Sequence, residues 1–322
     1  SIYTTHVMDY HLKLHQKLRI QLAKGALALK CAGRPAHTII IEEEPLSTVP
    51  FKGKNNIGKF VVSIWSVGQV LKPQTVKMVV AGTSAGKVFT RSAEPISNNI
   101  QTRKSTSKFE FGDLIVNESS RMEFIHLEFQ ATVASTVKLS AKAHSKFICV
   151  TNESQWPNAA KKLLWNLTFI DEESIPWELF ANYLNAWILD ITGQSLMDCK
   201  RSLQPWEMEY FHSNKKWFKS ERIIERTDAI AFWRYMGAVL TAIKFKRHIF
   251  SMWADGSLFG FATKAMCETL LKNTGVGTFV IRFSESVPGA FAVAYVTTDR
   301  DERIKHFLVK PEDLGHNRTL PD

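Results

Sequence analysis

The stretch from Gly277 to Ser286 sets an arginine inside a strand that is apolar on both faces. Phe279, Ile281 and Phe283 fall on one side and Val280 on the other. Such a strand is a covered, central one. Arg282 therefore lies in or beside a core, where a guanidinium is seldom left without a partner. Two readings fit these ten residues. In one, Arg282 pairs with a neighbouring carboxylate. In the other, it is the floor of a recessed anion site. Its five donors can take two anion oxygens bidentately. The hydroxyls of Ser284 and Ser286, with amides of the turn, take the remaining oxygens. A phosphate ester meets that description. A tyrosyl phosphate meets it best, because its ring is long enough to reach a recessed arginine from the surface.

Ahead of this strand the texture of the chain changes more than once. A chain of 322 residues is long for one core, so roughly two to four domains are expected. In residues 1–34, Leu14, Leu18 and Leu22 share a helical face, although Leu12, Leu14, Leu18, Ile20 and Leu22 also alternate as a strand would. The abundance of Lys, Gln, Leu and Ala favours helix, the end of a longer helical region. His11 and His15 are four apart, but no third ligand is near, and a solvated face is the simpler reading. Residues 35–151 read as a β-sandwich. The expected strands are Thr38–Glu43, Lys59–Val67, Val76–Ala81, Lys108–Val116, Arg121–Gln130, Thr136–Ala141 and Lys146–Val150. Basic or hydroxyl-rich loops are expected at 51–56, 86–91 and 103–108. Lysines on loops can track a phosphate backbone, and they are also ordinary solvated decoration.

Residues 152–252 turn helical. Helices are expected at Ala159–Phe169, after Pro176 in a first-turn position, from Trp206 to Phe218, and after Asp228 as a cap. The dense tryptophans there read as packing between helices. The acidic run Asp171–Glu173 lacks the alternation and the glycine of a calcium loop. Residues 253–322 then supply a helix at Phe261–Lys272, the Arg282 strand, and strands at Ala290–Thr297 and Arg303–Val309.

The net charge of +10 favours polyanionic partners: nucleic acid, phosphoproteins or acidic membranes. Cys31, Cys149, Cys199 and Cys267 have no metal spacing and read as reduced thiols. No apolar run is long enough to cross a membrane. Nothing in the sequence calls for a metal or a cofactor, and no catalytic constellation is found. The run Gly82–Lys87 superficially matches a phosphate-binding loop, but its glycines are one residue too close and Val88 stands at the Ser/Thr position. It reads as a β-hairpin loop.

GTFVIRFSES, preceded by WADGSLFGFATK at Trp253–Lys264, resembles the start of the Src-homology-2 (SH2) domain of the STAT family of transcription factors. Arg121–Leu167 is similar to the segment that closes the family's immunoglobulin-like DNA-binding domain, and AFWRYMGAVLTAIKFKRHIFSMWADG is similar to its helical linker. The resemblance implies a multidomain protein. Its parts are an N-terminal helical remnant (1–34), an all-β immunoglobulin-like sandwich (35–151), an all-α linker (152–252) that fixes the geometry between its neighbours, and the first part of an α+β SH2 domain (253–322). It implies that Arg282 is the main phosphotyrosine ligand, supported by Ser284, Ser286 and Lys264. Glu285 is also at its family position, and His306 lines the tyrosine pocket. It implies that Asn152 reaches a base edge, while Lys87 and Glu118 map onto two further DNA contacts. Further SH2 elements and the phosphorylated tyrosine are expected beyond Asp322.

The resemblance implies a phosphotyrosine-activated, sequence-specific DNA-binding transcription factor, not an enzyme. It moves from cytoplasm to nucleus on activation. Its partners are a phosphotyrosine peptide from its own tail, a receptor or a kinase, double-stranded DNA, and a second copy bound by reciprocal exchange. The alternative is a phosphotyrosine-binding adaptor whose sandwich binds protein and not DNA.

Overall fold

The computed structural model describes residues 36–310 except 46, 55–56, 68–76, 85–86, 94, 102–103, 113, 118, 134–135, 171, 193, 195–198, 247 and 300–301, with a few positions between 18 and 25. Leu18, Ile20, Gln21, Leu22, Lys24 and Gly25 have helical backbone, and Leu18 and Leu22 are exposed. His11 and His15 lie outside the described residues. The chain divides between Leu163 and Leu164 into two compact units.

The first unit holds eight strands: β1 (Ala36–Glu43), β2 (Phe60–Val67), β3 (Lys77–Ser84), β4 (Lys87–Ala93), β5 (Pro95–Gln101), β6 (Lys104–Phe111), β7 (His126–Val133) and β8 (Val137–Lys142). They form two four-stranded antiparallel sheets, ordered β1-β2-β6-β5 and β4-β3-β7-β8. One core joins them. Phe60, Val62 and Ile64 enter it from β2, Phe109 and Phe111 from β6, and Leu127, Phe129, Ala131 and Val133 from β7. Strict alternation along β7 does this, leaving His126, Glu128 and Gln130 on the other face.

The sequence misplaces several boundaries here. The segments 86–91 and 103–108, expected as loops, belong largely to β4 and β6, and β5 has no counterpart among the expected strands. β4 and β5 are edge strands. Edge strands tolerate polar residues and proline, so Pro95 is no obstacle. Ser84 pairs with Lys87, which makes Gly82–Lys87 a hairpin end. The expected strand at Arg121 begins only at His126. Before it, Arg121 and Met122 adopt φ +51° and +68°, a left-handed turn that no strand can contain. Lys146–Val150 makes isolated bridges instead of a strand.

The following segment repeats one pattern. α1 (Trp156–Thr168), β9 (Ser174–Pro176) and α2 (Trp177–Ile191) are followed by α3 (Pro205–His212), β10 (Ile223–Glu225) and α4 (Arg226–Phe245). β9 and β10 pair antiparallel, Ile175 opposite Ile224, so two helix–loop–helix motifs are tied through their loops. Pro176 is in β9 and not in the helix. The helix expected through Phe218 stops at His212, where Ser213 caps it and its Oγ donates to the Glu209 carbonyl at 2.7 Å; Trp217 and Phe218 lie beyond the helix and are buried by tertiary packing against Phe232. Asp228 does not cap α4. Glu225 is the cap, without a side-chain bond, and Asp228 is buried in the first turn with Lys219 Nζ at 3.4 Å.

The last segment contains α5 (Ile249–Asp255), β11 (Leu258–Gly260), α6 (Lys264–Leu271), β12 (Phe279–Phe283), β13 (Phe291–Val296) and β14 (Ile304–Val309). The sheet order is β11-β12-β13-β14. α6 covers one face, where Cys267 and Leu271 pack with Ala294 and Val296. No helix among the described residues is long and apolar enough to cross a membrane.

Candidate functional site

β12 is an interior strand, parallel to β11 and antiparallel to β13. Arg282 lies opposite Ala292, and Val280 opposite Ala294. Small residues on the neighbouring strand leave room for a guanidinium under α6. Arg282 is 7% exposed. Its Nη1 donates to the Phe283 carbonyl at 3.0 Å and stands 3.8 Å from Glu285 Oε2. That separation is long for a charge-assisted bond. Its Nε has no hydrogen-bond partner among the described residues. A buried guanidinium with unused donors is incompletely satisfied, and it can take an anion.

The turn after β12 is built from its own hydroxyls. Ser284 is buried; its Oγ accepts from the Val287 amide at 3.1 Å and lies 3.3 Å from Ser286 Oγ. The turn closes with Ser284 N–H on the Ala290 carbonyl at 2.9 Å. Gly289, at φ +77°, rests against Ala238 of α4, where a Cβ would meet the Ala238 carbonyl oxygen at 3.3 Å. The pair of hydroxyls is thus held in place next to Arg282.

Lys264 opens α6, whose first turn is capped by Thr263 Oγ1 accepting from the Met266 amide at 3.1 Å. Its Nζ is exposed, 3.7 Å from Glu268 Oε1. The same oxygen is 3.2 Å from His306 Nε2. Burial lowers the His306 pKa; Glu268 opposes that shift, while the Lys264 and Arg282 cations reinforce it. The imidazole is therefore neutral near pH 7. Arg282, Glu285, Ser284, Ser286, Lys264 and His306 gather around one face of the sheet. Sequence reasoning misses Glu268 and Lys216. Glu268 is legible as an i, i+4 partner of Lys264. Lys216, whose Nζ is 3.5 Å from the Glu285 carbonyl, has no signal in the sequence.

A second candidate site lies at one end of the first unit. The amide of Lys52 bonds the Val150 carbonyl at 2.8 Å, that of Gly53 the Val116 carbonyl at 2.8 Å, and that of Ser120 the Cys149 carbonyl at 3.1 Å. Three loops thereby meet around Lys52, Arg121 and Asn152, all exposed. Asn152 caps the 3-10 turn Glu153–Gln155. Its Oδ1 accepts from Gln155 N–H at 3.2 Å and from Ser154 Oγ at 2.7 Å. The cap engages the acceptor and leaves the Nδ2 donors, one of which makes a long 3.5 Å contact with Thr151 Oγ1. Lys87 is not in a loop as expected but is the first residue of β4. The register Ser84↔Lys87 and Thr83↔His126 puts it at the end of the sheet where β7 starts. Glu118 lies outside the described residues.

Comparison with known proteins adds to this geometry. Residues 152–246 match the family described as an EF-hand fold domain, and residues 258–320 match the SH2 domain. The EF-hand match accounts for the two paired helix–loop–helix motifs, in a segment that the sequence alone suggests is an all-helical linker. The match is to a fold: neither 169–176 nor 213–225 contains a glycine, which a calcium loop needs for its sharp turn. The chain is 34% identical over 188 residues to signal transducer and activator of transcription A of Dictyostelium discoideum, covering 58% of this chain and 26% of that protein. It is 30% identical over 244 residues to signal transducer and activator of transcription B of the same organism, covering 68% and 21%. Human signal transducer and activator of transcription 4 is 27% identical over 193 residues, covering 54% and 25%. The chain thus spans about a quarter of the length of these relatives. Its SH2 match, its buried strand arginine and these relatives together place it: the chain belongs to the STAT family.

Proposed function

We propose that the chain is the DNA-reading and phosphotyrosine-sensing part of a transcription factor that dimerises by reciprocal SH2–phosphotyrosine exchange, and that it is not an enzyme. The observation that carries this reading is Arg282, buried beside two turn hydroxyls with its Nε unpartnered. A tyrosyl phosphate on one protomer docks on Arg282 of the other, so the exchange is isologous. Ser284, Ser286 and Lys264 add donors. Phosphorylation then acts as the switch that moves the protein from cytoplasm to nucleus.

Residues 35–151 are read as an immunoglobulin-like DNA-binding domain, 152–252 as a linker and 253–322 as the first part of the SH2 domain. The sheet orders β1-β2-β6-β5 and β4-β3-β7-β8 support the first assignment. They correspond to the strand arrangement of immunoglobulin sandwiches with one strand added to the second sheet. Asn152, Lys87 and Glu118 are read as DNA contacts, joined by Lys52 and Arg121 on the same group of loops.

A phosphotyrosine peptide titrated against wild type and Arg282→Ala tests the switch, with the unphosphorylated peptide as control. Hydrogen bonds to charged groups contribute roughly 1.5–3 kcal/mol, so the substitution should weaken binding about tenfold to hundredfold. Equal affinity for the two proteins would refute the reading.

Duplex binding separates the transcription factor from the adaptor. Affinity should fall steeply with salt, and Lys52→Ala should reduce the slope of log K against log salt by roughly 1 and weaken all sequences alike. Asn152→Ala should instead act at the preferred site, by about 1 kcal/mol or more. A flat salt response, or an Asn152→Ala effect shared by every duplex, contradicts the assignment.

A further inference from the structure

Near the Arg282 site lie two buried phenols without a well-formed hydrogen bond. Tyr210 of α3 and Tyr235 of α4 are 5% and 4% exposed. Neither hydroxyl has a hydrogen-bond partner among the described residues. A buried donor without an acceptor is a standing penalty, and each such group calls for an explanation. Packing fixes both rings. Trp217 holds them, its centroid 5.4 Å from Tyr210 and 4.8 Å from Tyr235. Tyr235 is also 6.3 Å from Phe261, which in turn contacts Phe283 at 4.9 Å.

The turn that carries Glu285 lies on the same helices. Gly289 rests on Ala238, three residues beyond Tyr235 on α4. Lys216, one residue before Trp217, reaches the Glu285 carbonyl. The electrostatics agree with this placement. Burial raises the Tyr210 pKa and the nearby Glu285 carboxylate raises it further, while the neighbouring Tyr235 hydroxyl and the Arg282 cation lower it; burial raises that of Tyr235, with the Tyr210 hydroxyl and then Glu285 adding to it and Arg282 opposing. The phenols remain protonated donors across the physiological range, and the anion that both of them feel is the Glu285 carboxylate.

That carboxylate leans toward Arg282 at 3.8 Å, a loose ion pair with a side chain 37% exposed. A phosphate dianion on Arg282 cannot share the guanidinium with a carboxylate: the like charges repel. The carboxylate has to leave, and two unsatisfied donors lie near it. We propose that Tyr210 and Tyr235 form a receiving site for Glu285, which swings off Arg282 onto the two phenols when a phosphate binds. The proposal rests on the reading of Arg282 as the phosphate ligand. The tyrosines are positioning residues, acting through Glu285 and touching no ligand. Because α3 and α4 belong to the EF-hand-fold segment, phosphate occupancy is then registered there as two new charge-assisted hydrogen bonds.

The test is a titration of the 322-residue chain with phenyl phosphate, combined with a double-mutant cycle. Tyr210→Phe/Tyr235→Phe deletes two buried oxygens without a well-formed hydrogen bond, so its thermal melt should fall no lower than that of wild type. Its affinity should nevertheless fall about tenfold, since the bound state loses hydrogen bonds to a charged group. In a Glu285→Ala background the same pair of substitutions should have no further effect. An unchanged affinity on removing the phenols, or an equal loss in both backgrounds, overturns the proposal while leaving Arg282 as the ligand. Arg282→Ala is run alongside. If it binds phenyl phosphate as wild type does, the reading of Arg282 itself is wrong, and the proposal falls with it.

Discussion

Glu207→Ala should destabilise the second unit by about 3–5 kcal/mol, the expected result of removing one partner of a buried ion pair. Glu207 is fully buried and Arg201 is 8% exposed. Glu207 Oε1 lies 3.2 Å from Arg201 Nη2 and accepts from the Phe261 amide at 3.0 Å, while Oε2 accepts from the Gln204 amide at 2.8 Å. Arg201 donates to the carbonyls of Trp253 at 3.2 Å, Phe259 at 2.6 Å and Leu258. Its guanidinium also stacks 3.8 Å above the Trp253 ring. The two charges therefore tie α3 to β11. Gly260 makes this possible: at φ +103°, its Cβ would stand 2.0 Å from Glu207 Oε1.

Burial works against both ions. It raises the carboxyl and lowers the guanidinium, and each partner offsets the shift of the other. Removing the carboxylate leaves a buried cation beside unpaired amides. Replacing both residues together, Arg201→Met with Glu207→Leu, should be nearly neutral by comparison. Urea unfolding followed by amide exchange of the β11 and α3 segments measures both. If the single substitution costs no more than the double, the pair is not a unit.

The sequence exposes the Arg282 strand because burial and charge conflict within ten residues. The same logic applies at Arg201 and Glu207, but the groups that bury and satisfy them around β11 are 52 to 58 residues away in the chain, and no local pattern announces those. Glu207 instead reads as an ordinary surface position in an aromatic helix. The first unit shows the complementary limit. β2 and β7 are visible because alternation marks a strand with one face in the core. β4 and β5 are not, because edge strands answer to the ladder beside them more than to their own side chains. The EF-hand arrangement is hidden for a third reason. Its usual signature is ligand chemistry, and only the helices and the Ile175–Ile224 pairing remain. At the candidate site, Arg282, Ser284 and Ser286 stand out within ten consecutive residues, while Lys264, Glu285 and His306 are marked only by the family resemblance. Tyr210 and Tyr235 cannot, since they arrive from helices distant in sequence.

The core of the first unit makes the other large prediction. Phe129 is fully buried, 5.3 Å from Phe60 and 5.2 Å from Phe111 by ring centroid. All three rings come from different strands, and β7 is in one sheet while β2 and β6 are in the other. Phe129→Ala removes the ring on which both sheets close, and the cavity term adds to the lost transfer energy, so about 3–5 kcal/mol is expected. Gln130 is the next residue and faces the other way. Gln130→Ala should stay within about 0.5 kcal/mol. The contrast is sharper than either value alone, because side chains alternate with a period of two. A register shifted by one residue would exchange the two results. Amide exchange of the β7 peptides in increasing urea gives both numbers. A large cost at Gln130 with a small one at Phe129 would mean that β7 pairs with β3 and β8 one residue away from the Val80↔Phe129 and Phe129↔Ala141 register. The loops that bring Asn152 beside Lys52 would then need to be rebuilt as well.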